Sequence, residues 1–252
     1  MSWNFWSRVK KRPLGRRQFL LSSFAATLST TLLLSANAQT NPSSENQPNS
    51  LKFISVQPTN GGMPRGVIVC LHGSGAKSQS LASLAGKVNL PEYLFLFPDA
   101  PFPDPSVSGG KLWYDLKSPN HKGLAESRQR LTRWLKWLPS ITGIPLESTI
   151  LSGFSQGAAM TLDVGLTLPL AGLVSLSGYL ASPPKLAVKG SVPPVLMVQG
   201  TQDKIVTLDE AHSARDKLEA LSVKVRYKEL DMGHELNPEV LELMRDFVMD
   251  II

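Results

Sequence analysis

The sequence predicts an α/β fold, with a mainly parallel central sheet of about seven strands flanked by helices. Short β-rich segments alternate along the chain with longer amphipathic segments, an order that is typical of parallel sheets covered by helices. Two of the short segments, VIVCL at residues 67–71 and VLMVQ at residues 195–199, are almost continuously apolar. Strands that are buried on both faces have this composition, because neither face contacts water.

The predicted elements follow one another over residues 51–252. Seven β-rich segments predict strands, at Lys52–Gln57, Gly66–Leu71, Tyr93–Pro98, Thr149–Gly153, Gly172–Ser177, Val195–Gln199 and Val223–Leu230. Amphipathic segments predict helices, at Ser78–Val88, Leu124–Pro139, Gln156–Leu168, Leu208–Leu221 and Pro238–Asp250. The second helix shows one buried face at i, i+3, i+4 and i+7, formed by Leu131, Trp134, Leu135 and Leu138. Active sites of such sheets form at the carboxyl ends of the strands, so candidate residues are expected there.

The composition is that of a globular domain. The chain has 252 residues, of which 42% are hydrophobic and 18% are charged, and this length is enough for one large domain with its own core. The one cysteine, Cys70, excludes an internal disulfide framework and a multi-cysteine metal site. Because Cys70 lies within the apolar VIVCL segment, we interpret it as an inert core residue.

The formal net charge of +6 comes from the N-terminal segment. Residues 1–38 contain six Lys and Arg residues and no Asp or Glu. Residues 39–252 therefore contain 20 basic and 20 acidic residues, and their formal charges cancel. Binding to a phosphate backbone needs a basic patch on the folded part of the chain. The formally neutral remainder therefore predicts no nucleic-acid partner.

The first 38 residues have the three parts of an export signal. Residues 1–18 are basic, residues 19–34 are moderately apolar, and Ala36-Asn37-Ala38 is a small-x-small ending. The pair Arg16-Arg17, followed by Gln-Phe-Leu, resembles the twin-arginine signal of bacteria. We therefore predict cleavage after Ala38 and a periplasmic or equivalent extracytoplasmic location.

A membrane anchor that is retained is the alternative for this segment. Six of the 16 residues from Phe19 to Leu34 are Ser or Thr, so the segment lacks the run of about 18 apolar residues that spans a bilayer. Contact with a membrane is expected only if the signal stays uncleaved. The polar segment Gln39–Ser50 predicts a flexible spacer, and residues 51–252 are predicted to form the folded domain.

A candidate nucleophile follows the fourth predicted strand. Gly153-Phe154-Ser155-Gln156-Gly157 is a G-x-S-x-G motif between a strand and a helix, which is the setting of a nucleophile elbow. Glycines are needed there because a Cβ in so tight a turn would collide with neighbouring backbone. The turn is expected to strain Ser155 and to present its hydroxyl above the sheet.

A serine hydroxyl needs a base to accept its proton, and the chain has four histidines. His234 follows the last predicted strand and precedes the last helix, which places it at the carboxyl edge of the sheet. His212 lies in the middle of a helix, His121 precedes the candidate serine in a polar loop, and His72 directly follows a buried strand. Chain order and position both favour His234 as the base.

The base in turn needs an acid that orients its ring. Asp203 follows the strand at residues 195–199 and lies between the serine and His234 in the chain. Asp231 competes for the role but lies only three residues before His234, at the end of the same strand, and Asp163 lies on the helix after the elbow. We favour Asp203 over both.

Backbone N–H groups that face the developing oxyanion complete such a site. Gln156, the residue after the nucleophile, is predicted to supply one at the start of its helix. The segment His72-Gly73-Ser74-Gly75 follows an early strand, and we expect it to fold back so that the Ser74 N–H supplies the other. A plain glycine-rich turn is the alternative.

Together, the motifs HGSG, FPDAP, LWYD, GFSQG, QGTQD and MGHE resemble the phospholipase/carboxylesterase family of α/β-hydrolases, which includes the acyl-protein thioesterases. The resemblance runs from about Val67 to the C-terminus. It implies an α/β-hydrolase fold, a triad of Ser155, Asp203 and His234, and hydrolysis of carboxylic esters, thioesters or lysophospholipids. It also implies that no metal or organic cofactor takes part.

The resemblance further implies Ser74 and Gln156 as the backbone donors and places Trp113 in the acyl groove. The segment at residues 101–113 contains three prolines and two adjacent glycines, and we expect it to edge that groove with Phe102 and Leu112. A surface loop without substrate contact is the alternative.

The resemblance is incomplete in the first loop. Ser74 stands where thioesterases of the family usually have Leu, and Ala76 stands where many have Asp. We therefore predict a serine carboxylesterase that acts through an acyl-enzyme on a small ester or lipid-like substrate. Lysophospholipase or acyl-thioesterase activity is the nearest alternative, a peptidase or polyester depolymerase of the same fold is another, and a non-catalytic binding module represents a different class.

Overall fold

The computed structural model describes residues 38–40, 51–187 and 191–252. The strands within this part are β1 (Ala38–Thr40), β2 (Phe53–Val56), β3 (Gly66–Leu71), β4 (Tyr93–Pro98), β5 (Phe102–Pro103), β6 (Lys111–Leu112), β7 (Thr149–Phe154), β8 (Gly172–Leu176), β9 (Val195–Gly200) and β10 (Val225–Leu230). The α-helices are α1 (Ser78–Ala82), α2 (Leu84–Val88), α3 (Leu124–Thr142), α4 (Gln156–Gly165), α5 (Leu208–Ala220) and α6 (Pro238–Ile251).

The central sheet has the strand order β1-β2-β4-β3-β7-β8-β9-β10. From β4 to β10 every neighbouring pair of strands is parallel, whereas β2 is antiparallel to β4 and β1 is antiparallel to β2. The seven predicted strands all belong to this sheet, and helices flank it. The α/β-hydrolase fold, with its mainly parallel sheet, is thereby confirmed.

Apolar side chains bury both faces of the sheet. On one face, β-strand residues pack under α3, α4 and α5, and the predicted stripe of α3 (Leu131, Trp134, Leu135 and Leu138) is buried there. On the other face they pack under α1, α2 and α6. This double coverage explains why β3, β4 and β9 are buried along their whole length and read as continuous apolar runs.

One predicted helix and one predicted loop differ from the structure. The helix predicted at Ser78–Val88 is divided at Ser83 into α1 and α2, a segment in which Gly86 lowers the helix propensity. The loop at residues 101–113 contains the short antiparallel strands β5 and β6, in which Phe102 pairs with Leu112. Strands of two residues are too short to show a sequence period, so the loop prediction missed this hairpin.

A short strand at the edge of the sheet begins where the predicted signal ends. In β1, Ala38, Gln39 and Thr40 pair with Val56, Ser55 and Ile54 of β2. The first two residues of the predicted spacer Gln39–Ser50 belong to this strand. A polar segment can pair here because the backbone groups of an open sheet edge form the bonds, and no apolar side chains are needed. The predicted export signal up to Asn37 and the spacer from residue 41 lie outside the described residues. None of the helices that the structure describes has the length and apolar content to span a membrane.

Cys70 lies in β3 and is buried. Burial raises the pKa of its thiol to about 12, because the apolar surroundings disfavour the thiolate. The thiol therefore stays neutral, as expected for a core residue.

Candidate active site

Ser155 lies at a sharp turn between β7 and α4. Its backbone has φ 56° and ψ −118°, in a region that L residues rarely adopt, and its N–H donates to the carbonyl of Leu176 at 2.9 Å. Such strain persists only where the surrounding structure holds it, and it is typical of functional sites. The turn lies at the carboxyl end of a central strand, as the sequence predicts.

The glycines on either side of Ser155 are required by close backbone contacts. A Cβ on Gly153 would lie 2.3 Å from the carbonyl oxygen of Gly157, and a Cβ on Gly157 would lie 2.3 Å from the carbonyl oxygen of Leu71. These distances are far below van der Waals contact. The start of α4 therefore packs directly against the end of β3, which brings the loop after β3 next to the serine.

The structure brings Ser155, His234 and Asp203 into one chain of hydrogen bonds. The Nε2 atom of His234 lies 2.9 Å from the Oγ atom of Ser155, and its Nδ1 atom lies 2.7 Å from the Oδ2 atom of Asp203. Because the ionised carboxylate can only accept, Nδ1–H donates to it, and Nε2 is left to accept from the serine hydroxyl. This is the arrangement of a nucleophile, a base and an orienting acid.

Asp203 is held as a carboxylate by the loop after β9. Its Oδ1 atom accepts from the N–H groups of Ile205 and Val206 at 2.8 and 2.9 Å, and Gln199 Nε2 donates to its Oδ2 atom at 3.3 Å. Burial opposes ionisation of this side chain. The hydrogen bond and charge of His234, together with the two backbone donors, outweigh burial and lower the pKa of Asp203.

This lowered pKa predicts a specific loss of stability in acid. The stabilisation from ionised Asp203 is fully present above the pKa of an unfolded aspartate, about 3.9, and is lost as the pH falls through the lower value of the folded state. We expect the difference in free energy of unfolding between the wild type and Asp203→Asn to shrink between pH 5 and pH 2. Urea denaturation of both proteins at each pH measures it, and a difference that is constant with pH contradicts the assignment.

The competing residues are engaged elsewhere. Asp231 is exposed and accepts from the Gln202 side chain at 2.6 Å, and Asp163 forms an ion pair with Arg128. The ring of His72 is fully buried: its Nε2 atom accepts from the Ala100 N–H at 3.0 Å.

The remaining two histidines also lie in other surroundings. His121 packs against the ring of Tyr114, and His212 bonds Glu229 on the surface at 2.6 Å. Neither is bonded to Ser155, so His234 is the one histidine of the described residues whose ring is hydrogen-bonded to that serine.

The two predicted oxyanion donors belong to the start of α4 and to the loop after β3. Gln156 is the first residue of α4, where a backbone N–H has no partner within the helix. The loop of Ser74 also reaches the site, because a Cβ on its neighbour Gly73 would lie 3.3 Å from the Cβ of Ser155. In the described part of the chain, neither the Ser74 nor the Gln156 N–H takes part in a hydrogen bond.

The predicted groove residues are placed differently from one another. Phe102 and Leu112 pair across the β5–β6 hairpin and are half-buried, so part of each side chain is open to a ligand. Trp113 is 0% exposed, and its indole N–H donates to the carbonyl of His72 at 2.9 Å. The sequence places Trp113 in the acyl groove, but its burial leaves no exposed surface for a ligand and favours a supporting role instead.

Two residues near the triad were not singled out from the sequence. The side chain of Gln199 donates to Asp203 and, at 2.8 Å, to the carbonyl of Val206. These bonds connect the end of β9 to the loop in which Asp203 lies. Phe154 packs its ring 4.8 Å from the ring of His234. A glutamine that ends an otherwise apolar strand is a signal that could have identified the first. Over the residues that the structure describes, His, Cys, Asp and Glu side chains form no cluster suited to a metal ion.

Comparison with known proteins identifies the family. The sequence model of the phospholipase/carboxylesterase family matches residues 56–252, which is most of the chain. The chain belongs to this family. The acyl-protein thioesterase 1 of Neurospora crassa is 30% identical over 211 residues, which cover 73% of this chain and 85% of that protein. The acyl-protein thioesterase 1 homolog 1 of Dictyostelium discoideum is 30% identical over 169 residues, which cover 61% of this chain and 75% of that protein.

A solved structure agrees with this membership of the phospholipase/carboxylesterase family. The crystal structure of esterase PE8 matches with a TM-score of 0.74 and 30% identity, covering 81% of this chain and 100% of that one. The protein is therefore an enzyme, a serine hydrolase, as the family resemblance implies.

Proposed function

We propose that the protein is a carboxylesterase in which Ser155 is the nucleophile, His234 the general base and Asp203 the orienting acid. The unbroken chain of hydrogen bonds between these residues, at distances of 2.9 and 2.7 Å, carries the proposal. The strained backbone of Ser155 and the N–H groups of Ser74 and Gln156, which have no partner within the described residues, support the same role.

The first half of the reaction acylates Ser155. As the Oγ atom attacks the ester carbonyl, its proton passes to the Nε2 atom of His234, and the carbonyl oxygen becomes an oxyanion. The N–H groups of Ser74 and Gln156 stabilise that charge. When the tetrahedral intermediate collapses, the C–O bond to the alcohol breaks, and His234 returns the proton to the leaving oxygen.

Water completes the cycle. His234 accepts a proton from a water molecule, whose oxygen attacks the acyl-enzyme and forms a second tetrahedral intermediate in the same place. Its collapse breaks the bond to the serine oxygen, which regains a proton from His234, and the carboxylic acid leaves. Throughout, Asp203 holds the ring of His234 and stabilises the imidazolium that forms.

We propose small esters with an acyl chain as the substrates. Phe102 and Leu112 are half-buried and pair with each other, and Lys111, which precedes Leu112, is bonded to the loop that carries Ser74. These two side chains offer apolar area to an acyl chain, and burying one methylene contributes about 0.8 kcal/mol. Thioester or lysophospholipid hydrolysis is the second candidate, because two of the similar proteins carry the name acyl-protein thioesterase. The triad serves all three chemistries.

A fluorophosphonate probe and a substrate panel test this function. We expect the full-length protein to be labelled once, at Ser155, and to hydrolyse p-nitrophenyl esters with kcat/KM that rises over the first several acyl carbons. Measuring kcat/KM for matched thioesters, lysophospholipids and peptides ranks thioesterase, lysophospholipase and peptidase activity against esterase activity. A protein that is not labelled and hydrolyses none of them contradicts the catalytic assignment and favours a binding module.

We also propose that the protein is exported. Replacing Arg16-Arg17 with Lys-Lys is expected to keep the protein in the cytoplasm, because the signal is read by a receptor that requires the arginine pair. Cell fractionation measures this, and Lys10-Lys11→Arg-Arg is the matched control, since it keeps the charge outside the pair. N-terminal sequencing of the exported protein is expected to begin near Gln39. An exported chain that begins at Met1 contradicts cleavage.

A further inference from the structure

A short segment of the chain joins the two sides of the proposed oxyanion hole. We call residues 111–114 (Lys111-Leu112-Trp113-Tyr114) the bridging segment. It begins in β6 and is bonded both to the loop that carries Ser74 and to the first residue of α4. The loop provides the proposed Ser74 N–H donor, and the start of α4 provides the proposed Gln156 N–H donor. The bridging segment therefore helps to set the distance between these two N–H groups.

One side of the bridging segment is bonded to the loop after β3. The carbonyl of Lys111 accepts from the Gly75 N–H at 2.8 Å, and its N–H donates to the carbonyl of Ala76 at 2.9 Å. Further along, the indole N–H of Trp113 donates to the carbonyl of His72 at 2.9 Å. The loop is therefore fastened on both sides of the residue that provides the proposed donor.

The other side is bonded to α4 through the side chain of Gln156. Its Oε1 atom accepts from the Trp113 N–H at 2.8 Å, and its Nε2 atom donates to the carbonyl of Tyr114 at 2.8 Å. A side-chain amide suits this place because it can accept from one backbone group and donate to another. Gln156 is 1% exposed and Trp113 is 0% exposed, so water does not replace these bonds when one is removed.

We propose that the Gln156 side chain and the Trp113 indole are positioning residues of the oxyanion hole. Neither group acts on the reacting atoms; through the bridging segment they hold the Ser74 and Gln156 N–H groups at a fixed separation. An oxyanion hole works because its donors already point to where charge develops, and a misplacement of about 1 Å lowers the rate by about 10²-fold. This inference rests on the proposed function. It gives Trp113 a role that needs no contact with substrate and is therefore compatible with a buried side chain.

Two variants of the full-length protein test the proposal. Gln156→Met keeps the backbone N–H and the length of the side chain but removes both amide bonds, and Trp113→Phe removes the indole N–H. We expect Gln156→Met to lower kcat by about 10²-fold and Trp113→Phe by about tenfold, with KM nearly unchanged. Gln129→Met and Trp137→Phe, both on α3, repeat the same chemical changes outside the bridging segment and are expected to keep the wild-type activity.

A boronic acid separates positioning from a general loss of structure. It forms a bond between boron and the Ser155 oxygen as the hydroxyl proton passes to His234, and an oxygen of the tetrahedral adduct occupies the oxyanion hole. Its affinity is expected to fall by the same factor as kcat/KM. The pH at which kcat/KM is half-maximal is expected to stay unchanged, because the bonds of His234 are untouched.

Three results would overturn the proposal. The first is a kcat of Gln156→Met within about threefold of wild type. The second is a variant whose kcat falls while its affinity for the boronic acid is unchanged, and the third is a variant in which the pH midpoint of kcat/KM shifts together with kcat. Should circular dichroism show that Gln156→Met is unfolded, Trp113→Phe decides by the same criteria. A wild type without labelling or hydrolysis contradicts the proposed function and this inference with it. An active wild type with unaffected variants contradicts this inference alone.

Discussion

Replacing Ser155 with alanine is expected to lower kcat by about 10⁶-fold, the loss seen when the nucleophile of a comparable triad is removed. Alanine lacks the oxygen that forms the acyl-enzyme, while His234 and Asp203 keep their own hydrogen bond at 2.7 Å. The two proposed oxyanion donors also remain, because they are backbone groups. Residual hydrolysis then comes from substrate binding and the oxyanion hole alone.

Single-turnover and steady-state hydrolysis of a p-nitrophenyl ester measure this loss, and the fluorophosphonate label is expected to disappear with it. Ser213→Ala, an exposed serine on α5, is the matched control and should keep both activity and label. The thermal midpoint of Ser155→Ala should not fall, since the strained turn tolerates alanine no worse than serine. Activity of Ser155→Ala within about tenfold of wild type would show that another residue is the nucleophile.

The central fold could be predicted because its signal is local. Strands buried on both faces, such as β3 and β9, contain little but apolar residues, and the stripe of α3 repeats with the helical period. The β5–β6 hairpin and the edge strand β1 could not be predicted in this way. Their residues are paired through backbone groups, which most side chains permit, so the sequence carries no pattern for them.

The proximity of the three proposed triad residues could be predicted because three constraints coincide. Ser155, Asp203 and His234 each follow a strand, lie in the expected chain order, and have the residue types that the chemistry requires. The burial of Trp113 follows from no such constraint. It depends on bonds to Gln156 and His72, which lie 43 and 41 positions away in the chain. An aromatic residue in a loop rich in proline and glycine fits a groove as well as it fits a core, and only the folded structure distinguishes the two.

Asp203→Asn is expected to lower kcat by about 10⁴-fold, the second largest effect, although it changes one atom. The backbone N–H groups of Ile205 and Val206 require an acceptor at 2.8 and 2.9 Å, so they fix the amide oxygen of the new asparagine in the place of Oδ1. Its NH₂ group then faces His234 Nδ1, where it can only donate. His234 must therefore carry its proton on Nε2, and in this tautomer it cannot accept the proton of Ser155.

Asp231→Asn separates this explanation from a general effect of removing a carboxylate near His234. Asp231 ends the strand that leads to His234, yet it is exposed and bonded to Gln202, so we expect its kcat to stay within about threefold of wild type. Fluorophosphonate labelling should be slowed in Asp203→Asn and unchanged in Asp231→Asn, because the label requires a serine whose proton can be accepted. The reverse order of the two variants would make Asp231 the orienting acid. Equal losses in both would indicate that the charge around His234, and not its tautomer, determines the rate.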